Sequence, residues 1–179
     1  YLPSKTDFEK ILSLAEKHGL YVFSDEMYRF LELDPLDRLP SACELYENAI
    51  SLFGMSKTFG LAGTRIGWVV TRNKELYLKM AAFKDYTTIC SSAPSEILAL
   101  MALRAKEKII ERHLTRIKKN LSLLDGFFER RKHLFCWVRP RAGTIGFPAI
   151  LFKEEAMPFC QRVIREVGVM LLPSSVYGY

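Results

Sequence analysis

The apolar positions of the first part of the chain form a helical pattern followed by short continuous runs. Residues 8–15 carry apolar side chains at helical spacing, behind a capping box that Thr6 and Glu9 would form. Gly19 then stands where the end of a helix favours a positive φ. The short runs predict buried strands at 20–23 and 49–53, and a third strand is predicted at 65–71. Because strands that alternate with helices build layered domains, this part of the chain predicts an α/β fold.

Beyond residue 72 the pattern becomes mostly helical. From Ile110 to Phe128 the apolar residues alternate between spacings of four and three, which describes one stripe along a long helix. We interpret this helix as a connector between two domains, one formed by residues 1–108 and the other by residues 109–179. The remaining helices are predicted at 73–83, 94–105 and 157–167, and the remaining strands at 136–138, 145–151 and 169–172.

The composition is that of a globular protein without a nucleic-acid site. Of the 179 residues, 49% are hydrophobic, which is enough to bury a core, and the net charge is +6. Many basic residues lie between positions 106 and 132, where acidic residues are interspersed among them. A nucleic-acid site would gather basic residues on one surface, so we interpret these charges as a solvated helix face and expect no nucleic-acid partner.

Cysteine and histidine positions indicate neither disulfides nor a metal site. The four cysteines are far apart and form no CxxC pair, which favours buried reduced thiols. The three histidines are too scattered for a metal cluster. No apolar run approaches the ~20 residues of a membrane span, and no signal peptide is recognisable, so we expect a cytoplasmic protein without a membrane partner.

Residues with reactive side chains stand at the ends of the predicted strands. Asp25 and Tyr28 follow the first strand, Ser56 and Lys57 follow the second, and Arg65 opens the third. Ligands of open α/β sheets collect at the carboxyl ends of strands, so an acid, a phenol, a hydroxyl, an amine and a guanidinium would converge on one crevice. Glycines let the loop around the lysine lie close to a ligand, at positions 54, 60 and 63.

These residues lie in two segments that resemble class I/II aminotransferases. Residues 51–68, Ser-Leu-Phe-Gly-Met-Ser-Lys-Thr-Phe-Gly-Leu-Ala-Gly-Thr-Arg-Ile-Gly-Trp, resemble the motif around the cofactor lysine of that family in residue types and spacing. Residues 24–29, Ser-Asp-Glu-Met-Tyr-Arg, resemble its Asp-x-x-Tyr element. More weakly, residues 1–4 resemble the segment after the family's Asn-Pro-x-Gly turn, and residues 171–178 resemble the loop shortly before its substrate-carboxylate arginine.

The resemblance implies a fold-type I pyridoxal-phosphate enzyme, similar to aspartate aminotransferase, and a role for each reactive side chain. Lys57 would form a Schiff base with the cofactor aldehyde and later carry the proton. Asp25 would keep the pyridine nitrogen protonated, and Tyr28 would donate to the phenolate oxygen of the cofactor. Arg65 would hold the phosphate with a bidentate fork, and Ser56 would add a hydroxyl.

One position departs from the family pattern. The family often places a serine that contacts the phosphate three residues before the lysine, whereas this chain has Gly54 there. One phosphate hydrogen bond is therefore expected to be absent or supplied elsewhere. Gly143 and Thr144 lie where the smaller domain of the family can approach substrate, and we expect a structural role for both.

The resemblance also implies that the chain is most of the C-terminal half of such an enzyme. Residues 1–108 would be the C-terminal part of a large mixed-sheet domain that binds pyridoxal phosphate. Residues 109–179 would be the long helix and an incomplete smaller α/β domain. We expect an arginine and an apolar strand soon after Tyr179, and a sizeable segment before Tyr1. The implied assembly is a homodimer.

The implied reaction is transamination between an amino acid and a 2-oxo acid, whose identities stay open. A pyridoxal-phosphate lyase, decarboxylase or synthase would use the same lysine, aspartate and arginine. A third alternative is a regulator in which an aminotransferase-like domain is fused to a DNA-binding helix-turn-helix. The basic charge of the chain gives that alternative weak support.

Overall fold

A computed structural model of the chain describes residues 2–178, which form two compact units. The first unit comprises residues 2–119 together with 141–144, and the second comprises residues 120–140 together with 145–178. Helix α5, Lys106–Arg130, contributes residues to both units. All five predicted site residues therefore belong to the first unit.

Helix α1, Lys5–Lys17, opens the first unit. Its N-cap is Ser4, whose side chain accepts a hydrogen bond from the backbone N–H of Asp7 at 3.1 Å. The capping box expected from Thr6 and Glu9 is therefore wrong, because Ser4 already caps the first turn of the helix. The predicted helix is present, but it begins before the expected residue.

A three-stranded mixed sheet follows, in the order β1–β2–β3. Its strands are β1, Val22–Asp25, β2, Ala49–Gly54, and β3, Gly67–Val70. Strands β1 and β2 are parallel, whereas β2 and β3 are antiparallel. The fold is mixed α/β, as the sequence predicts, although β1 begins two residues later than expected and β3 is shorter. Because β1 and β2 are parallel, their carboxyl ends at Asp25 and Gly54 lie at the same edge of the sheet.

Helices α1 and α2 pack on the sheet, and longer helices follow β3 along the chain. The first unit also contains α2, Ala42–Leu45, α3, Lys74–Thr87, and α4, Ala93–Arg104. Asn73 caps α3 by accepting from the backbone N–H of Leu76 at 2.9 Å. One buried cluster joins α1 and α2 to the start of β2 through Leu12, Ala15, Ala42, Tyr46 and Ala49. No helix within residues 2–178 has both the length and the apolar character that crossing a membrane requires.

A second buried cluster lies beneath the loop that joins β2 to β3. Met55 and Phe59 of this loop pack with Ala99 and Ala102 of α4, and none of the four is more than 6% exposed. Burial of a methionine or phenylalanine side chain stabilises a fold by about 1.5–3 kcal/mol. The loop is therefore anchored on both sides of Lys57.

The second unit is built around aromatic rings. Strands β4, Phe135–Cys136, and β5, Ala149–Ile150, form a short antiparallel pair. Helix α6, Ala156–Val167, ends at Gly168, whose φ of +69° closes the helix as the sequence predicts. The rings in mutual contact are those of Phe127, Phe128, Phe135, Trp137, Phe152 and Phe159.

The final strand expected at 169–172 is wrong for the described part of the chain. These residues follow α6 without a regular hydrogen-bonded structure, and all four are exposed. A strand exists only where a neighbouring strand supplies the ladder of hydrogen bonds. Within residues 2–178 no strand pairs with this segment, so its apolar character alone does not make it a strand.

The cysteines divide into two kinds. Cys43 and Cys160 are buried, as expected, and carry free thiols. Cys90 and Cys136 are also free thiols but are exposed, so the expectation of four buried thiols is wrong. Cys136 is the last residue of the two-residue strand β4.

Candidate active site

The loop that carries Lys57 is fixed by its neighbours while the lysine itself is exposed. The backbone N–H of Leu61 donates to the carbonyl of Met55 at 2.9 Å, and the N–H of Gly60 donates to the carbonyl of Lys57 at 3.1 Å. These bonds close the loop on itself, and the buried side chain of Phe59 holds it down. The amine is thus presented outward from a rigid turn.

Asp25 and Tyr28 stand on the turn that follows β1. The backbone N–H of Glu26 donates to the carbonyl of Leu52 at 2.9 Å, which ties the start of this turn to β2. The Oδ1 atom of Asp25 accepts from the backbone N–H of Met27 at 3.0 Å and holds the turn tight. Asp25 is exposed and Tyr28 is half-buried, so both side chains are accessible at this edge of the sheet.

Thr58 joins the two segments. Its side chain is 2% exposed, and its Oγ1 lies 2.7 Å from the carbonyl oxygen of Arg29 and 3.2 Å from that of Met27. These two carbonyls flank Tyr28, and Thr58 follows Lys57 in the chain. The Nζ of Lys57 lies 5.8 Å from the centre of the Tyr28 ring. A buried hydroxyl therefore holds the amine beside the phenol.

Tyr28 is also packed by the segment 141–144. The backbone N–H of Gly143 donates to the carbonyl of Leu31 at 2.9 Å. A Cβ added to Gly143 would lie 3.3 Å from Cδ1 of the Tyr28 ring, and the φ of this glycine is +77°. These contacts favour the structural role expected for Gly143. Thr144 is exposed.

Ser56 precedes Lys57 in the loop, and Arg65 stands two residues before β3. Arg65 has a φ of +52°, and its guanidinium donates to the carbonyl of Ala62 at 3.1 Å, which leaves other N–H groups of its fork exposed. The backbone N–H of Met55 donates to the carbonyl of Ile66 at 3.0 Å, so the residue after Arg65 lies beside the start of the lysine loop. Ser56 is half-buried in that loop.

Among the predicted site residues, Lys57 and Tyr28 are brought together across the two segments, with the amine 5.8 Å from the centre of the ring. Asp25, Ser56 and Arg65 reach the same edge of the sheet through the ends of neighbouring strands. Each part of pyridoxal phosphate requires one kind of protein group. The aldehyde requires an amine, the ring nitrogen a carboxylate and the phenolate oxygen a phenol, and the phosphate requires a guanidinium and a hydroxyl. The residues present therefore fit pyridoxal phosphate.

The sequence did not reveal Glu26 as a part of this site. Its carboxylate accepts from the side chain of Ser41 at 2.8 Å, from the backbone N–H of Ala42 at 3.1 Å and from the guanidinium of Arg29 at 3.0 Å. These bonds fasten the turn after β1 to the start of α2. No local signal identifies Glu26, because its partners lie up to sixteen positions away.

Comparison with known proteins decides the family. The sequence profile described as aminotransferase class I and II matches residues 1–179. The chain belongs to this family. It is 26% identical to an aspartate aminotransferase of Thermococcus kodakarensis over 179 residues, which are 98% of the chain and 45% of that relative. It is also 28% identical to capreomycidine synthase of Streptomyces vinaceus over 133 residues, which are 74% of the chain and 34% of that protein.

A solved aminotransferase has the same fold. The crystal structure of a PLP-dependent aminotransferase from Streptococcus suis matches this class I/II chain with a TM-score of 0.90 at 31% identity. The match covers 98% of the chain and 46% of that structure. The chain thus spans about half the length of the relatives that it matches.

Proposed function

We propose that the whole protein is a pyridoxal-phosphate-dependent aminotransferase that moves an amino group from an amino acid to a 2-oxo acid, with Lys57 as the cofactor lysine. The observation that carries the proposal is the position of the Lys57 amine, 5.8 Å from the centre of the Tyr28 ring on a loop anchored by buried residues. An exposed surface lysine would not need such an anchored loop. Membership of the aminotransferase family supports the same assignment.

Each side chain has a role that its chemistry permits. Pyridoxal phosphate, when bound, supplies an aldehyde and a ring that accepts electrons. The amine of Lys57 would be the nucleophile toward that aldehyde and the carrier of the substrate Cα proton. The carboxylate of Asp25 would hold a proton on the ring nitrogen, and the Tyr28 hydroxyl would donate to the ring oxygen. Arg65 and Ser56 would bind the phosphate through N–H and O–H groups.

We also propose the arrangement that the resemblance implies for the whole enzyme. Residues 1–108 would belong to the large domain and residues 109–179 to the joining helix and the smaller domain. The assembly would be a cytoplasmic homodimer without a nucleic-acid or membrane partner. Ion pairs at the start of α5 and just after its end support a solvated rather than a nucleic-acid-binding face. Lys106 lies 3.4 Å from Glu107, and Lys132, beyond the helix, lies 2.8 Å from Glu129.

A synthase is the second candidate function. Capreomycidine synthase matches 74% of the chain at 28% identity, close to the identity of the aspartate aminotransferase. Such an enzyme would need the same lysine, aspartate and arginine. Transfer of ¹⁵N from a labelled amino acid to an added 2-oxo acid separates the two, because transamination moves the label and a lyase or synthase does not.

The test of Lys57 is reduction with borohydride. The whole protein, loaded with pyridoxal phosphate and reduced, should carry the cofactor on the peptide that contains Lys57. Lys57→Ala should lose this label and lower turnover by several orders of magnitude, since nucleophile and base vanish together. Lys132→Ala, which removes an exposed lysine paired with Glu129, should do neither. A label on another lysine would overturn the assignment.

A further inference from the structure

We propose that His113 is a positioning residue that holds the carbonyl of Thr58 and so fixes where the Lys57 amine stands beside Tyr28; this rests on the proposed function, because it takes Lys57 as the cofactor lysine. His113 belongs to the part of α5 that lies in the first unit. Its Nδ1 lies 3.0 Å from the carbonyl oxygen of Thr58. Thr58 is the residue that follows Lys57.

Two neighbours of the imidazole select one form of it. A carbonyl oxygen can only accept, so Nδ1 of His113 must carry the hydrogen that Thr58 receives. The guanidinium of Arg112, which can only donate, lies 3.4 Å from Nε2, which fits Nε2 as the acceptor. The tautomer with its hydrogen on Nδ1 satisfies both contacts. The ring is thus oriented from both sides.

Thr58 is held at both ends. Its side-chain oxygen contacts the carbonyls of Met27 and Arg29, and its own carbonyl receives the Nδ1–H of His113. A residue held at its side chain and at its carbonyl has little freedom to rotate, and the peptide bond that it shares with Lys57 moves with it. The imidazole therefore acts on the lysine through one intervening residue.

Gly60 makes room for this contact. Its φ is +68°, and a Cβ added to it would lie 3.1 Å from Cε1 of His113. Position 60 is therefore restricted to glycine both by backbone conformation and by the imidazole. The backbone conformation of Gly60 and its lack of a side chain therefore both leave space for the imidazole of His113.

Matched substitutions separate the hydrogen bond from the bulk of the ring. His113→Asn keeps an N–H donor at the position of Nδ1, His113→Gln moves the donor to the position of Nε2, and His113→Leu removes it. His133→Asn changes an exposed histidine in the second unit and is the control. All variants are made in the whole protein.

Hydrogen exchange of the loop is read in protein freed of cofactor. Loss of one hydrogen bond corresponds to roughly fivefold faster opening. We expect exchange across residues 55–61 to be about fivefold faster in His113→Leu and His113→Gln. In His113→Asn and in the control it should equal that of the unchanged protein. Equal exchange in all variants would overturn the proposal, and so would Asn and Gln variants that behave alike.

The absorption of the loaded enzyme gives the second readout. The pH midpoint at which the visible band of the bound cofactor changes should shift in His113→Leu and His113→Gln. In His113→Asn this midpoint should equal that of the unchanged protein. Turnover should fall in His113→Leu and His113→Gln but not in His113→Asn, with little change in KM. A general loss of stability would instead leave the spectral midpoint unchanged. An Asn variant that does not restore the midpoint would overturn the proposal.

The two proposals fail separately. Borohydride could label a lysine other than Lys57 while exchange is still faster in His113→Leu and His113→Gln. The hydrogen bond to Thr58 would then stand, but its link to the cofactor lysine would be overturned together with the proposed function. If Lys57 is labelled and exchange ignores the variants, the proposed function stands and His113 has no positioning role.

Discussion

The side chain of Met27 fills the space that a side chain at Gly54 would need. A Cβ added to Gly54 would lie 2.9 Å from Cε of Met27 and 3.1 Å from the carbonyl oxygen of Ile66. This glycine therefore serves close packing at the end of β2. The contact gives a physical reason for the departure from the family pattern, since a serine at position 54 and the thioether of Met27 would compete for one volume.

Gly54→Ser should destabilise the whole protein by about 1–3 kcal/mol, the usual cost of overpacking a well-filled site. Adding Met27→Ala should recover part of this loss but not all of it, because the backbone oxygen of Ile66 remains. Urea unfolding of both single variants and of the double variant gives the coupling free energy between positions 27 and 54. Gly63→Ser is the control, since its added Cβ meets nothing within 4 Å. Strictly additive effects would contradict the competition between Met27 and position 54.

Asp25→Asn should reduce turnover far more than it weakens retention of the cofactor. The amide oxygen can still accept from the N–H of Met27, so the turn is kept while the charge that would face the ring nitrogen is lost. We expect turnover to fall by roughly a hundredfold or more, as for loss of other preorganised electrostatic groups. Asp25→Glu should keep part of the activity.

Steady-state kinetics and equilibrium dialysis with pyridoxal phosphate measure the two effects of Asp25→Asn separately. Asp85→Asn changes an exposed aspartate on α3 and should alter neither. Near-normal turnover in Asp25→Asn would mean that another acid holds the ring nitrogen.

Local patterns were enough for strands β1 and β2 and for the lysine turn, but not for the strand expected at 169–172. Apolar runs located β1 and β2, and the residues after each run placed Asp25 and Lys57 at one edge of the sheet. They pointed to Thr6 as the N-cap of α1, whereas the structure has Ser4 there. Both residues precede the apolar pattern, and periodicity leaves helix ends uncertain by a residue or two. Helix starts therefore needed the structure.

Contacts between distant positions were out of reach of one sequence. Thr58 lies 29 positions from Arg29 and 55 from His113. A single sequence does not reveal which loop contacts which helix. Thr58, next to Lys57, therefore could not be distinguished from other loop residues. The positioning of Lys57 depends on these contacts.

Asp125→Asn should lower the stability of the second unit in a pH-dependent way. Asp125 accepts from Nε1 of Trp137 and from Nε of Arg139, each at 2.8 Å. The bond from Trp137 and then that from Arg139 hold the pKa of the Asp125 carboxyl below its usual value. A lowered pKa stabilises the fold above the unfolded value of about 3.9 and ceases to do so as pH falls through the folded value.

The free energy of unfolding of the second unit should therefore differ most between the unchanged protein and Asp125→Asn at neutral pH. This difference should become smaller below about pH 4. Urea unfolding followed by pulsed hydrogen exchange across residues 120–140 measures it. Asp85→Asn, whose aspartate lies outside the second unit, should leave that region unchanged. A difference that stays constant from neutral pH to about pH 3 would contradict the role assigned to the charge.

Gly143→Ala should disturb catalysis through Tyr28, whereas Gly19→Ala should not. Both glycines have a positive φ, +77° and +62°, so each alanine would strain the backbone by about 1 kcal/mol. Only at position 143 does the new Cβ meet the Tyr28 ring, at 3.3 Å, and at position 19 it meets nothing within 4 Å. We expect both variants to lose stability in urea unfolding, Gly143→Ala by at least as much as Gly19→Ala, and turnover to fall for Gly143→Ala alone. Equal turnover in the two variants would show that the ring tolerates the displacement.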